Sequence, residues 1–296
     1  MSSPEGIKEE LGWWDVISKS FDVYRQDYVK YLVLYVVVGA ILGVATTLVS
    51  STIPRPAIPA NPTIAQTLSS AGYSLTIALV TLVLALILYP ISVGSSIKMA
   101  SDRIGATPTD LGAAFRHSLS RIVSFWIVSI VVGIIVSLGF IALVVPGIIL
   151  LIMFSLVIPV VIIENKGALD SLGRSRELVG HRWAKTFVIF LVVGIGIAIA
   201  SLVVDFITSF FAPAQTVVGD ILEAFYIPYL PVLLTVYYYS NVARTQPPPP
   251  SQPSAWLGPN IPAPATVAST VKYCPSCGNP LTTTAAYCPN CGAKQP

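Results

Sequence analysis

From Ile122 to Ile163 the chain runs for 42 residues without a charged side chain. A helix needs roughly 20 apolar residues to cross a hydrocarbon core of about 30 Å, so this run is long enough for two crossings. "LVVPGI" supplies the turn between them, because Pro146 and Gly147 punctuate helices. Backbone groups in lipid find no water and must bond within their own segment, which makes helices the reading for runs of this length. The same test along the chain gives six spans, at about 31–53, 73–94, 122–143, 147–163, 186–210 and 224–243. Only 10% of the residues are charged, against about 25% in soluble domains. The first thirty residues carry ten charges and no short apolar core before a small-residue cleavage site, so they do not read as a signal peptide.

Lysine and arginine set the orientation. With the N-terminus inside, sixteen of the seventeen basic residues fall on the cytoplasmic side and Arg55 alone lies outside. An even number of spans puts both termini in the cytoplasm, in a multi-pass protein of the cell membrane. The domains expected are a cytoplasmic amphipathic segment, 1–30; a six-helix transmembrane domain, 31–243; a proline-rich linker, 244–270; and a small metal-binding module, 271–296.

An internal repeat runs through the membrane part. "KSFDVYRQDYVKYLVL" (Lys19 to Leu34) aligns without gaps on "RSRELVGHRWAKTFVI" (Arg174 to Ile189), matching Lys19 with Arg174, Ser20 with Ser175, Asp22 with Glu177 and Lys30 with Lys185. "AAFRHSLSRIVSFWIV", before the third span, is a fainter copy. "LYPISV", "VIPVVI" and "YIPYLP" echo one another on the returning segments. The fold expected is therefore all-α and integral to the membrane: three helical hairpins, each led by a short amphipathic helix on the cytoplasmic surface. The aromatics Trp13, Trp14, Phe21, Tyr24, Tyr28 and Trp183 suit a headgroup layer. Such leaders serve as juxtamembrane anchors or as lipid-sensing or partner-docking surfaces, and the sequence leaves both open.

"ALDSLGRSRELVGHRWAKTFVIFLVVG", preceded by "PGIILLIMFSLVIPVVIIEN", resembles a broad group of prokaryotic six-helix membrane proteins. That group is similar to the membrane domain attached to some glycerophosphodiester phosphodiesterases. The resemblance covers roughly residues 10 to 243. It implies an integral membrane module without a settled activity, since the soluble phosphodiesterase domain is absent from this chain.

The four cysteines fall in two knuckles, Cys274-Pro-Ser-Cys277 and Cys288-Pro-Asn-Cys291, each followed by glycine. Two thiolates separated by two residues turn toward one ion, and two such pairs give a closed tetrahedron of sulfur at about 2.3 Å, the pattern of a structural Zn2+. A segment this short buries too little to fold alone, so the ion would supply the folding free energy. Thiol exchange is the rival reading, but it needs a thioredoxin-like context that is missing here. The motif resembles the short zinc ribbons appended to other prokaryotic membrane proteins. From Thr245 onward there are two lysines and no acid, too thin a charge for nucleic acid. A cytoplasmic protein partner is the better expectation beside the lipid bilayer itself. Trp256, alone in the tether, reads as incidental.

Ionisable residues within spans mark transport or catalysis, and Asp205 is the one candidate. It lies about 27 Å along its helix, near the outer interface, with Asp220 and Glu223 following in sequence. No His-Glu-x-x-His, Gly-x-Ser-x-Gly or phosphate loop is present. The expected function is a non-enzymatic anchor or scaffold presenting the ribbon to a protein. A transporter or lipid-handling protein is the alternative.

Overall fold

The computed structural model describes residues 7–54, 56, 63–180, 182–245, 272–273 and 280–281. The chain divides into two compact units, Met1–Pro247 and Pro248–Pro296.

The first unit is helical: α1 (Trp13–Gln26), α2 (Tyr28–Thr52), α3 (Ile64–Ile104), α4 (Leu111–Ser120), α5 (Ile122–Ala142), α6 (Val144–Met153), α7 (Val157–Ile163), α8 (Ala168–Val179), α9 (Trp183–Thr208), α10 (Gln215–Glu223) and α11 (Tyr229–Thr245), with a 3-10 turn Ser209–Ala214 before α10. Among the described residues, five stretches are long and apolar enough to cross a membrane: Tyr28–Thr52, Ile64–Ile104, Ile122–Ala142, Val144–Ile163 and Trp183–Phe211. Their large apolar side chains stand mostly exposed, Ile130 and Leu202 among them. A soluble monomer rarely exposes apolar patches of that extent.

The repeat is visible as structure. A short helix precedes α2, α5 and α9, and a break separates each pair, at Asp27, at Arg121 and at Gly180–Arg182. The second position of the aligned repeat is Ser20, Ala114 and Ser175, and all three are fully buried. The small side chain there lets each leader helix press against its neighbour. The leaders are thus half embedded in protein, not simply laid on a surface.

The returning segments meet at the centre. From Pro90 to Ala100 every residue of α3 but Lys98 is buried, as are the core of α7 and most of α11. These three segments contact one another pairwise. Around them the leaders are arranged cyclically: α4 packs on α3, α8 on α7, and α1 on α11. Each leader lies on the return of the preceding repeat, and the first leader lies on the return of the last.

Two expectations come out differently. The 147–163 stretch starts earlier, at Val144, and is broken at Phe154–Leu156 into α6 and α7. Gly139 and Gly147 allow this tight α5–α6 corner, since a Cβ on Gly147 would meet the Phe140 ring at 2.5 Å. The 224–243 stretch is a turn followed by α11, 17 residues long and buried on most sides. Pro228 stands at that turn and α1, α3, α7 and α8 enclose the helix, so it serves as the central post of the bundle. At about 61 Å, α3 is twice a hydrocarbon thickness, long enough for one helix to carry a membrane-length apolar stretch and still enter the packed core.

Proline inside α3 has a specific remedy. Pro90 has no N–H to offer the Leu86 carbonyl four residues back. The indole N–H of Trp126, on α5, donates to that carbonyl at 2.7 Å. A residue of the second repeat therefore satisfies a backbone group of the first.

Candidate functional site

At the basic end of the bundle, three carboxylates each sit between two cations, those of Glu10 and one of Asp27's drawn from distant parts of the chain. Asp27, buried at the α1–α2 break, accepts from Arg103 Nε at 2.5 Å and from Thr109 at 3.2 Å, and pairs with Lys30 at 3.0 Å. Glu164, at the end of α7, is held by Arg174 at 3.0 Å, Lys166 at 2.8 Å and the Tyr238 hydroxyl at 2.8 Å. Glu10 pairs with Lys185 at 2.7 Å and Arg182 at 3.0 Å. Burial raises each of these carboxyls, but the hydrogen bonds and charges of the partners outweigh it and hold all three below their ordinary values. A carboxylate held ionised in this way is an acceptor and does not serve as a general acid near neutral pH.

The same end carries a second set of bonds, two from the aligned Lys30 and Lys185 and a third from Arg121, three positions earlier in its repeat. Lys30 Nζ donates to the Thr109 carbonyl at 2.9 Å, just before α4. Arg121 Nη1 donates to the Asn165 carbonyl at 3.2 Å, just before α8. Lys185 Nζ donates to the Leu11 carbonyl at 2.5 Å, just before α1. The cation at the start of each long helix thus clamps the entry to the next leader, and the third closes on the first.

The run "YYY" on α11 fastens three elements at once. The Tyr237 hydroxyl shares a hydrogen bond with Thr186 on α9 at 2.6 Å, Tyr238 donates to Glu164, and Tyr239 shares one with Ser101 on α3 at 2.7 Å. Consecutive residues point about 100° apart around a helix, so three in a row reach three neighbours. Sequence reading placed these tyrosines in a lipid span and missed their role; their hydroxyls, three in succession within an apolar run, were the available signal.

Asp205 lies exposed near the end of α9, close enough to Glu223 for its charge, like that of Asp220, to act there. Of the three acids that follow one another in sequence, Asp220 and Glu223 share a cavity that Asp205 does not line. Asp220 and Glu223 border a cavity of about 180 Å³ between α2, α3 and α10, together with Tyr35, Gly39 and Tyr89. Among the described residues, no group of three or more His, Cys, Asp or Glu side chains is placed to hold a metal ion. His117 uses Nε2 on the Ile162 carbonyl at 2.8 Å, tying α4 to α7.

Cys274, Cys277, Cys288 and Cys291 lie outside the described residues. The strands that bracket the first pair are described: β1 (Lys272–Tyr273) and β2 (Pro280–Leu281) pair antiparallel, Lys272 with Leu281 and Tyr273 with Pro280. Four sulfurs and no oxygen or nitrogen ligand is a donor set suited to Zn2+.

The fold and these sites define a helical protein with several membrane-length apolar helices and a C-terminal zinc ribbon. Residues 111–258, half of the chain, match the family described as Domain of unknown function (DUF7847), and the chain belongs to that family. The match begins at Leu111, the first residue of α4. Residues 273–295 match the zinc-ribbon domain, a range that holds all four cysteines. No curated protein and no solved structure matches the chain. The matched families do not include the membrane domain of glycerophosphodiester phosphodiesterases.

Proposed function

We propose that this chain is a non-enzymatic, multi-pass anchor of the cell membrane that presents a structural zinc ribbon to a cytoplasmic protein. In this reading six segments cross the bilayer as three hairpins, the sixth being the broken α10–α11 pair. Both termini lie on the side that collects the basic residues. The resemblance to phosphodiesterase membrane domains is read here as a likeness of anchoring modules, with no activity attached.

The observation that carries the proposal is the use of polar chemistry in the helical unit. Asp27, Glu164 and Glu10 are each taken up by cations of the same chain, and the tyrosines of α11 by its neighbours. Such groups brace a platform. The four thiolates would hold Zn2+ in a closed tetrahedron, where the ion supplies folding free energy to the ribbon and no open position for a substrate.

Affinity capture from native membranes tests this, comparing the intact chain, a chain ending at Arg244, and Cys274→Ser with Cys277→Ser. A partner retained by the intact chain and lost by both variants is the expected result. A partner retained equally by all three would overturn it. The alternative is transport or lipid handling, favoured by the cavity at Asp220 and Glu223 beside Asp205. It requires a flux that Asp205→Asn abolishes while deletion of the ribbon leaves it intact.

A further inference from the structure

A second cavity, of about 380 Å³, opens between α2, α3 and α4. Its walls are apolar, with Val37 and Ile41 from α2, Leu88 and Ile91 from α3, and Phe115 from α4. One cation lines it, Arg116. Among the described residues the Arg116 guanidinium has neither an ion-pair nor a hydrogen-bond partner, and Asp27 and Glu164 are taken up by other cations. We infer that this groove holds one acyl chain of an anionic glycerophospholipid, with the lipid phosphate on Arg116.

Length, exposure and charge carry the inference, which rests on the membrane reading proposed above. The Lys30–Thr109 bond fixes the start of α4 at the level of Lys30. From Lys30 to Ile41 the helix rises about 16 Å, close to half of a 30 Å hydrocarbon core. The groove therefore spans one leaflet, the one on the basic side. Val33, Val37 and Ile41 are about half exposed along it, so the surrounding solvent enters freely, and in a bilayer that solvent is lipid. Arginine recognises phosphate through two parallel N–H donors. An unpaired guanidinium bordering an apolar groove is complementary to an anionic headgroup above an acyl chain, and a zwitterionic headgroup offers it less net attraction.

The full-length chain is reconstituted in nanodiscs of equal phosphatidylglycerol and phosphatidylcholine, extracted into mild detergent, and its retained lipids are counted by native mass spectrometry. The inference expects about one retained lipid per chain with phosphatidylglycerol enriched. Arg116→Gln should reduce that enrichment about fivefold, the worth of one cation near an anionic surface, while Arg116→Lys keeps most of it. Ile41→Trp, which fills the groove, should lose the retained lipid. Arg25→Gln, an exposed cation on α1, should change nothing. No retained lipid, or retention without headgroup preference, overturns the inference, as does an Arg116→Gln chain that keeps the full enrichment with an unchanged melting temperature. Release of the wild-type chain from membranes by alkaline carbonate would instead sink the membrane reading.

Discussion

Lys185 donates from its ammonium to the carbonyl of Leu11 at 2.5 Å, across 174 residues of chain. Lys30, its counterpart in the first repeat, makes the same bond to Thr109. The two bonds differ in one respect: Lys30 reaches the next leader along the chain, whereas Lys185 reaches back to the first. That backward step makes the arrangement a ring, and α1 packing on α11 completes it.

Closure predicts energetic coupling between residues that no local structure joins. Glu10→Gln and Lys185→Met should each lower the melting temperature of the purified protein. Their double mutant should fall short of additivity by about 1 kcal/mol, within the range for partners in one charge network. Additive effects would mean that the ring is not closed by this pair.

Trp126 supports the first repeat through one bond. Trp126→Phe keeps the ring but removes the indole donor, leaving the Leu86 carbonyl beside Pro90 without a partner. In an apolar setting a lost partner of this kind costs roughly 1–3 kcal/mol. Thermal unfolding in detergent should show that loss, and Trp126→Phe combined with Pro90→Ala, which restores the backbone N–H, should recover most of it.

The lowered carboxyls give stability a direction with pH. Glu164 and Glu10 start from about 4.5 and Asp27 from about 3.8, and all three lie lower in the folded chain. A group whose folded pKa is depressed contributes stability that is complete above its unfolded value and lost as pH falls through the folded one. Unfolding midpoints should therefore hold steady down to about pH 5 and drop below about pH 4. Tyr238→Phe removes one of the bonds that keep Glu164 ionised, so it should lower stability near neutral pH, and the acid-induced loss should become smaller and level off at higher pH. A midpoint unchanged down to pH 3 would contradict the clamps.

Several of these relationships were legible in the amino-acid string and others were not. The apolar runs marked α2, α3, α5, α6–α7 and α9, because length and lack of charge are local properties. Aligning Ser20 on Ser175 and Lys30 on Lys185 marked positions that the structure uses alike, but neither the burial of the serines nor the clamps of the lysines. The partners were invisible: Asp27 and Arg103 lie 76 residues apart, and no periodicity links them. The burial of helix α11 was missed for a related reason. Its composition suits lipid as well as it suits a protein interior, and only the fates of Tyr237, Tyr238 and Tyr239 distinguish the two. At the ribbon, spacing identified the four cysteines because the ligand chemistry itself fixes that spacing.

Zinc should be confined to the ribbon. The intact chain should carry one Zn2+ by elemental analysis, and the quadruple replacement of Cys274, Cys277, Cys288 and Cys291 by Ser should carry none. The helical unit has its own buried core, so its melting temperature should be the same in both. A helical unit destabilised by metal loss would contradict the independence of the two units.

The orientation of the chain bears most directly on the account, since a ribbon on the wrong side could meet no cytoplasmic partner. With the four native cysteines replaced by Ser, a single cysteine introduced as Ser251→Cys is exposed to a membrane-impermeant maleimide in intact cells and after permeabilisation. The account predicts labelling only after permeabilisation, while Ser70→Cys, expected on the opposite face, labels in intact cells. Labelling of residue 251 from outside intact cells would contradict it.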